Sequence, residues 1–106
     1  MWELSPTEAY DAWQAGELTI VDIREVGEHE RTRIPGIPLI PMSELSERID
    51  ELPGGALAIL CRSGARSARV TEYLTSLGTY GEVANLEGGI IAWAEDGLPI
   101  EGSEPG

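Results

Sequence analysis

Three short apolar runs limit what this chain can fold into more than any other feature. "LTIVDI" at 18–23, "ALAIL" at 56–60 and "EVANL" at 82–86 are too short for core helices and are bounded by turn-forming residues. They are also too apolar to leave one face in water, which is the condition of strands covered on both sides. A fourth run, "IPLI" at 37–40, reads as a shorter strand.

Helical signals fill the gaps. "SPTE" at 5–8 reads as a capping box, with Ser5 as N-cap, Pro6 in the first turn and Glu8 reaching back, and predicts a helix to about Gly16 carrying Tyr10 and Trp13 on one face. Leu45, Ile49 and Leu52 recur at helical spacing, predicting a second helix from about Ser43 that ends at "PGG", 53–55. A third is expected from Arg66 or Ser67 to Gly78, with Val70, Leu74 and Leu77 on one stripe, and a short fourth over 88–97. The stretch "REVGEHERTRIPG", 24–36, reads as charged and irregular. Strands alternating with helices predict a parallel or mostly parallel α/β sheet.

The chain has 106 residues, 42% of them apolar, enough for one core. One domain over 1–100 is expected, followed by a frayed tail over 101–106. No window approaches the length of a membrane-spanning helix, and the start lacks the basic flank and apolar run of an export signal. One cysteine forms no internal disulfide, and with a single histidine, His29, it forms no Cys/His zinc cage. A reducing cytoplasm is therefore the expected location, and no metal or cofactor is expected. A net charge of −12 disfavours nucleic acid and anionic membranes as partners. All seven basic residues are Arg, and six fall in two groups: Arg24, Arg31 and Arg33, then Arg62, Arg66 and Arg69.

The second group surrounds the sole cysteine in "LCRSGARSARV", 60–70. In open α/β sheets the carboxyl ends of the strands form the binding edge, where the next helix aims its unpaired N–H groups. The strand at 56–60 delivers Cys61 to that edge. Gly64 lets the backbone turn so that successive N–H groups converge as an anion nest, with the Cys61 sulfur at its focus. An ordinary thiol has a pKa of about 8.5. Lowering it by ~2 units takes roughly 2.7 kcal/mol, within reach of the helix N-terminus, the converging amides and nearby guanidinium groups together. The competing reading is a buried cysteine serving as a small apolar side chain. Arg66, a cation in the first turn of a helix, opposes the macrodipole and is easier to explain if an anion binds there. Arg62 follows the same logic, Arg69 is as well explained by Glu72 or by solvent, and Ser67 by an N-cap role.

Four motifs in order resemble the rhodanese domain family over roughly residues 5–99. "VDIRE" at 21–25 is similar to its Asp-x-Arg-Glu strand end, and "RIPGIPLIP" at 33–41 to its His-Ile-Pro-Gly-Ala segment. "CRSGARS" at 61–67 is similar to its Cys-x-x-Gly-x-Arg-Ser loop, and "LEGGIIAWAEDGLP" at 86–99 to its closing Gly-Gly…Trp…Gly-x-Pro pattern. Arg33 stands where the family has His, and Thr32 where it has Gly. The resemblance implies a three-layer α/β sandwich around a mainly parallel five-stranded sheet, with "MWEL" as a short edge strand.

It also implies a double displacement. Cys61 takes the outer sulfur of thiosulfate or another sulfane-sulfur donor, sulfite leaves, and cyanide or a cellular thiol removes the sulfur from the persulfide. The loop residues Arg62, Ser63, Gly64, Ala65, Arg66 and Ser67 would bind the substrate, with Arg62 and Arg66 holding the sulfonate oxygens. Arg24 would support them or hydrogen-bond the loop, and Asp22 would serve the framework. Gly88 and Gly89 would allow close helix approach, and Trp93 would pack in the core. Two rival readings remain: a sulfur-relay module with a protein acceptor, and a cysteine phosphatase. The phosphatase loop has five residues between cysteine and arginine where this chain has four, and no loop aspartate offers itself as the acid.

Overall fold

The computed structural model describes residues 2–105. A capping box opens the first helix as expected: the Glu8 amide donates to Ser5 Oγ at 3.2 Å and the Ser5 amide to Glu8 Oε1 at 2.9 Å. The elements in chain order are β1 (Trp2–Leu4), α1 (Pro6–Gln14), β2 (Thr19–Asp22), α2 (Val26–Arg31), β3 (Thr32–Arg33), 3-10 turns at Met42–Glu44 and Ile49–Glu51, β4 (Leu57–Leu60), α3 (Ala65–Leu77), β5 (Val83–Leu86), α4 (Gly89–Glu95) and β6 (Glu101–Gly102).

Four strands form a wholly parallel sheet in the order β1-β5-β4-β2. Strand alternation sorts its side chains onto two faces. Ile20, Ala58, Leu60 and Leu86 join Ala9, Ile90 and Trp93 under α1 and α4. Val21, Ile23, Leu57, Ile59 and Val83 join Val70 and Leu74 of α3 and Leu45 of the 3-10 region. Trp93, wholly buried, packs against the rings of Tyr10 and Trp13 with centroids 5.7 and 6.2 Å away. The result is the expected three-layer α/β architecture, and no helix of the described residues is long and apolar enough to cross a membrane.

The structure corrects five local expectations. The fifth strand at 37–40 is reduced to one parallel bridge, Asp22 to Leu39, because Pro38 and Pro41 have no N–H to continue a ladder. The helix expected from Ser43 is two separate 3-10 turns, which still bury Leu45 and pack Ile49 and Leu52 on the core. The stretch read as irregular contains α2, a helix with no buried residue and therefore no apolar period to reveal it. Leu77 leaves the stripe of Val70 and Leu74 and is 43% exposed. The tail is not frayed at its start: β6 pairs antiparallel with β3, and the Ser103 amide donates to Arg31 O at 2.9 Å. Arg33, the departure noted above, ties these parts together by donating to the His29 and Glu30 carbonyls at the end of α2 and pairing with Glu101 of β6 at 3.3 Å.

Candidate active site

Alternation along β4 continues one residue beyond its end and turns Cys61 toward α3. The chain then reverses at Gly64, whose φ of +101° belongs to the left-handed region that glycine enters without strain. Within six residues the loop becomes the first turn of α3. Its N–H groups face inward: the Gly64 amide lies 3.1 Å and the Ser67 amide 3.4 Å from Cys61 Sγ, and the Ser67 hydroxyl 3.2 Å.

The start of the same loop is held from its outer side. The carbonyls of Cys61 and Arg62 point outward and accept from the Ile90 and Ile91 amides, at 2.9 and 3.2 Å, at the start of α4. Two helix N-termini thus grip one loop, α3 through its sulfur and α4 through its carbonyls. A Cβ on Gly89 would collide with the carbonyls of Arg62 and Cys61, so only glycine admits this approach.

Cys61 is 1% exposed. Burial pushes its thiol pKa up, yet the Ser67 hydroxyl and the amides of Ser67, Gly64 and Ser63 outweigh it, leaving the thiol below its ordinary value. The side chain is buried, as the competing reading held, but the amides are aimed at it, which that reading does not explain.

The two loop arginines part company. Arg66 forms a two-pronged ion pair with Glu28 of α2, both bonds 2.8 Å, and holds the Glu28 carboxyl at about 2. Arg62 is exposed and, among the described residues, makes no ion pair. It lines a cavity of about 220 Å³ with Arg24, Arg31, Thr32 and the tail residues Ser103 and Pro105. Arg24 is buried and engaged: its Nε and Nη2 meet Asp22 at 2.8–3.1 Å, and Nη2 donates to Thr32 O at 2.7 Å. It hydrogen-bonds Asp22 and Thr32 rather than the cysteine loop. Glu28 and Glu104 also touch the cavity, but Glu28 is paired with Arg66 as Arg24 is with Asp22, so Arg31 and Arg62 against Glu104 leave it locally positive in an acidic protein.

Cys61, Ser63, Gly64 and Ser67 therefore converge on one point, Ala65 opens α3 beneath them, and Arg62 and Arg24 stand at the neighbouring cavity. Sequence reasoning missed Glu28 and Asn85. The only signal for Glu28 was the Glu-x-x-Glu spacing at 25–28, where the Glu25 amide donates to Glu28 Oε1 at 3.1 Å. Asn85, one polar residue inside a buried strand, receives the Ser67 hydroxyl at 2.5 Å.

The chain is similar to known proteins in sequence and fold. A sulfurtransferase from Allochromatium vinosum is 45% identical over 89 residues, covering 83% of this chain and 82% of its own. The crystal structure of a rhodanese-related protein from Thermoplasma volcanium superposes with a TM-score of 0.85 at 31% identity, covering 95% of this chain and 98% of that one. That of a thiosulfate sulfurtransferase from Pseudomonas aeruginosa gives a TM-score of 0.83 at 29% identity, covering 96% of this chain but 20% of that one. The family model for the rhodanese-like domain matches residues 5–96. With the cysteine loop, the parallel sheet and these relatives in agreement, the chain belongs to the rhodanese-like domain family.

Proposed function

We propose that this protein is a sulfurtransferase that carries sulfane sulfur on Cys61, taking it from thiosulfate or another sulfane-sulfur donor and passing it to cyanide or a thiol. One observation carries the reading: the Cys61 sulfur is the focus of inward-facing amides at 3.1 and 3.4 Å from Gly64 and Ser67. Those donors favour the thiolate, which is the nucleophile. The thiolate attacks the outer sulfur of thiosulfate, the sulfur–sulfur bond of the donor breaks, and its electron pair leaves with sulfite. The persulfide anion that remains is again a negative sulfur, so the same amides serve both halves of the cycle. An acceptor nucleophile then attacks the outer sulfur and restores the Cys61 thiolate.

Arg62 is the arginine available to the sulfonate oxygens. Thr32, whose buried hydroxyl lacks a partner among the described residues, and Arg24 stand in the same cavity. Arg66 acts at one remove: paired to Glu28, it fixes α2 against α3. A 1% exposed cysteine also favours donors thin enough to deliver one sulfur atom past the loop.

The test is intact-mass analysis after incubation with thiosulfate. A gain of one sulfur atom, removed by cyanide and absent in Cys61→Ser, is expected. No gain, or turnover that survives in Cys61→Ser, would refute the mechanism. Loading without steady turnover to cyanide or small thiols would instead favour a relay to a protein acceptor.

A further inference from the structure

The Ser67 hydroxyl has one proton and two neighbours that can accept it. Its oxygen lies 3.2 Å from Cys61 Sγ and 2.5 Å from Asn85 Oδ1. Asn85 is not free to choose which end of its amide it presents. On its other side it meets Glu3 of β1, with Nδ2 to Oε1 at 3.0 Å, and an ionised carboxylate accepts but cannot donate. The amide nitrogen must face Glu3, the amide oxygen must face Ser67, and Ser67 must donate to it.

We infer that Asn85, oriented by Glu3, is a positioning residue that draws the Ser67 proton away from Cys61 while the sulfur is a neutral thiol. In that state the Cys61 S–H donates to the Ser67 oxygen. When the sulfur becomes a thiolate, the hydroxyl swings to it and Asn85 Oδ1 loses its partner. The proton released from Cys61 goes to solvent, and no bond between heavy atoms changes. Asn85 is 3% exposed, so water does not readily replace the lost bond. The chain Glu3–Asn85–Ser67 therefore biases the resting loop toward the thiol and makes the cysteine ionise less readily than it would with the Ser67 hydroxyl free of Asn85.

The other charged groups near the sulfur are distinct from this chain. Arg66 of α3 is paired with Glu28 of α2, Arg62 points to the cavity, and the buried neighbours from β2 and the 40–45 segment are aliphatic. The inference rests on Cys61 being the reacting sulfur. The experiment uses no sulfur donor, so its failure is distinguishable from failure of the proposed activity.

The measurement is the pH titration of the Cys61 Cβ chemical shift in the intact chain labelled at its sole cysteine. Asn85→Ala frees the Ser67 proton for the sulfur and should lower the ionisation midpoint by about one pH unit, the size of one hydrogen bond to a charged group. In a Ser67→Ala background the same change should have no effect. Glu3→Ala, on the exposed edge strand, lets the Asn85 amide turn over and should lower the midpoint by a smaller amount. A midpoint that rises or stays put in Asn85→Ala, or a fall that persists without Ser67, overturns the assignment. Should Asn85→Ala fail to fold, Glu3→Ala decides alone, and an unchanged midpoint there overturns it.

Discussion

Gly89→Ala tests whether the docking of α4 onto the cysteine loop holds the site together. Gly89 has a φ of +61°, and its missing Cβ leaves room for the Cys61 and Arg62 carbonyls. The left-handed conformation alone costs a non-glycine residue about 1 kcal/mol. The collision must also push α4 away, loosening two hydrogen bonds to buried carbonyls, Ile90 to Cys61 at 2.9 Å and Ile91 to Arg62 at 3.2 Å, at about 1 kcal/mol each. The total is about 3 kcal/mol. Gly97 supplies the control, since its φ is +77° but nothing lies within 4 Å of the position its Cβ would take. Gly97→Ala should lose only about 1 kcal/mol.

In a domain of this size each kcal/mol moves the melting temperature by about 4–8 °C, so the two variants should differ by roughly 8–16 °C. A domain with a typical 5–15 kcal/mol of stability remains folded at low temperature in both cases. There, circular-dichroism melting and the rate of sulfur loading from thiosulfate can be compared. Gly89→Ala should also load more slowly, because the 62–63 peptide, released from α4, no longer holds the Ser63 amide toward the sulfur and the start of the loop is loosened. Equal melting temperatures for the two variants would refute the docking argument, and slow loading in Gly97→Ala would refute its specificity.

Other outcomes follow from the same contacts. Arg62→Ala should weaken sulfur loading from thiosulfate at least tenfold while leaving the cyanide reaction of the preformed persulfide nearly unchanged, as single-turnover kinetics of each half would show; about 1.4 kcal/mol, one charge-assisted hydrogen bond, is enough. Glu28 has a folded pKa of about 2, below the 4.5 of the ordinary group, so its contribution to stability is whole above about pH 4.5 and is lost as pH falls through about 2. Urea unfolding should therefore show Glu28→Gln less stable than the parent by about 1–2 kcal/mol at neutral pH, after allowance for partial exposure, with the gap closing toward pH ~2. A gap that is constant with pH would mean the ion pair is not its source. Trp93→Ala should cost about 3–5 kcal/mol by calorimetry, since Trp93 is wholly buried and its Nε1–H donates to Pro99 O at 2.8 Å.

Both misread segments show where local pattern stops being informative. The spacing of Leu45, Ile49 and Leu52 reports which side chains face the core, and two 3-10 turns between Pro41 and Pro53 satisfy it as well as a helix does. Conversely, α2 has no apolar face and is secured by polar ties: Glu28 to Arg66, and Glu25, whose carboxylate accepts from the Ser43 hydroxyl at 2.6 Å. A periodicity of hydrophobic residues carries no information about such a helix.

Read alone, the residues determined the buried strands, the place of Cys61 at the end of one of them and the turn at Gly64, because each depends on neighbours within a few positions along the chain. Tertiary structure decided which arginine remains free, since Glu28, 38 residues from Arg66, claims that one and leaves Arg62 at the cavity. It also decided which way the Ser67 proton points, through Asn85, 18 residues from Ser67, and Glu3, 82 residues from Asn85. The physical reason is one of range: backbone conformation and burial follow local spacing, whereas a hydrogen bond or ion pair is settled by whichever partner folding brings within about 3 Å.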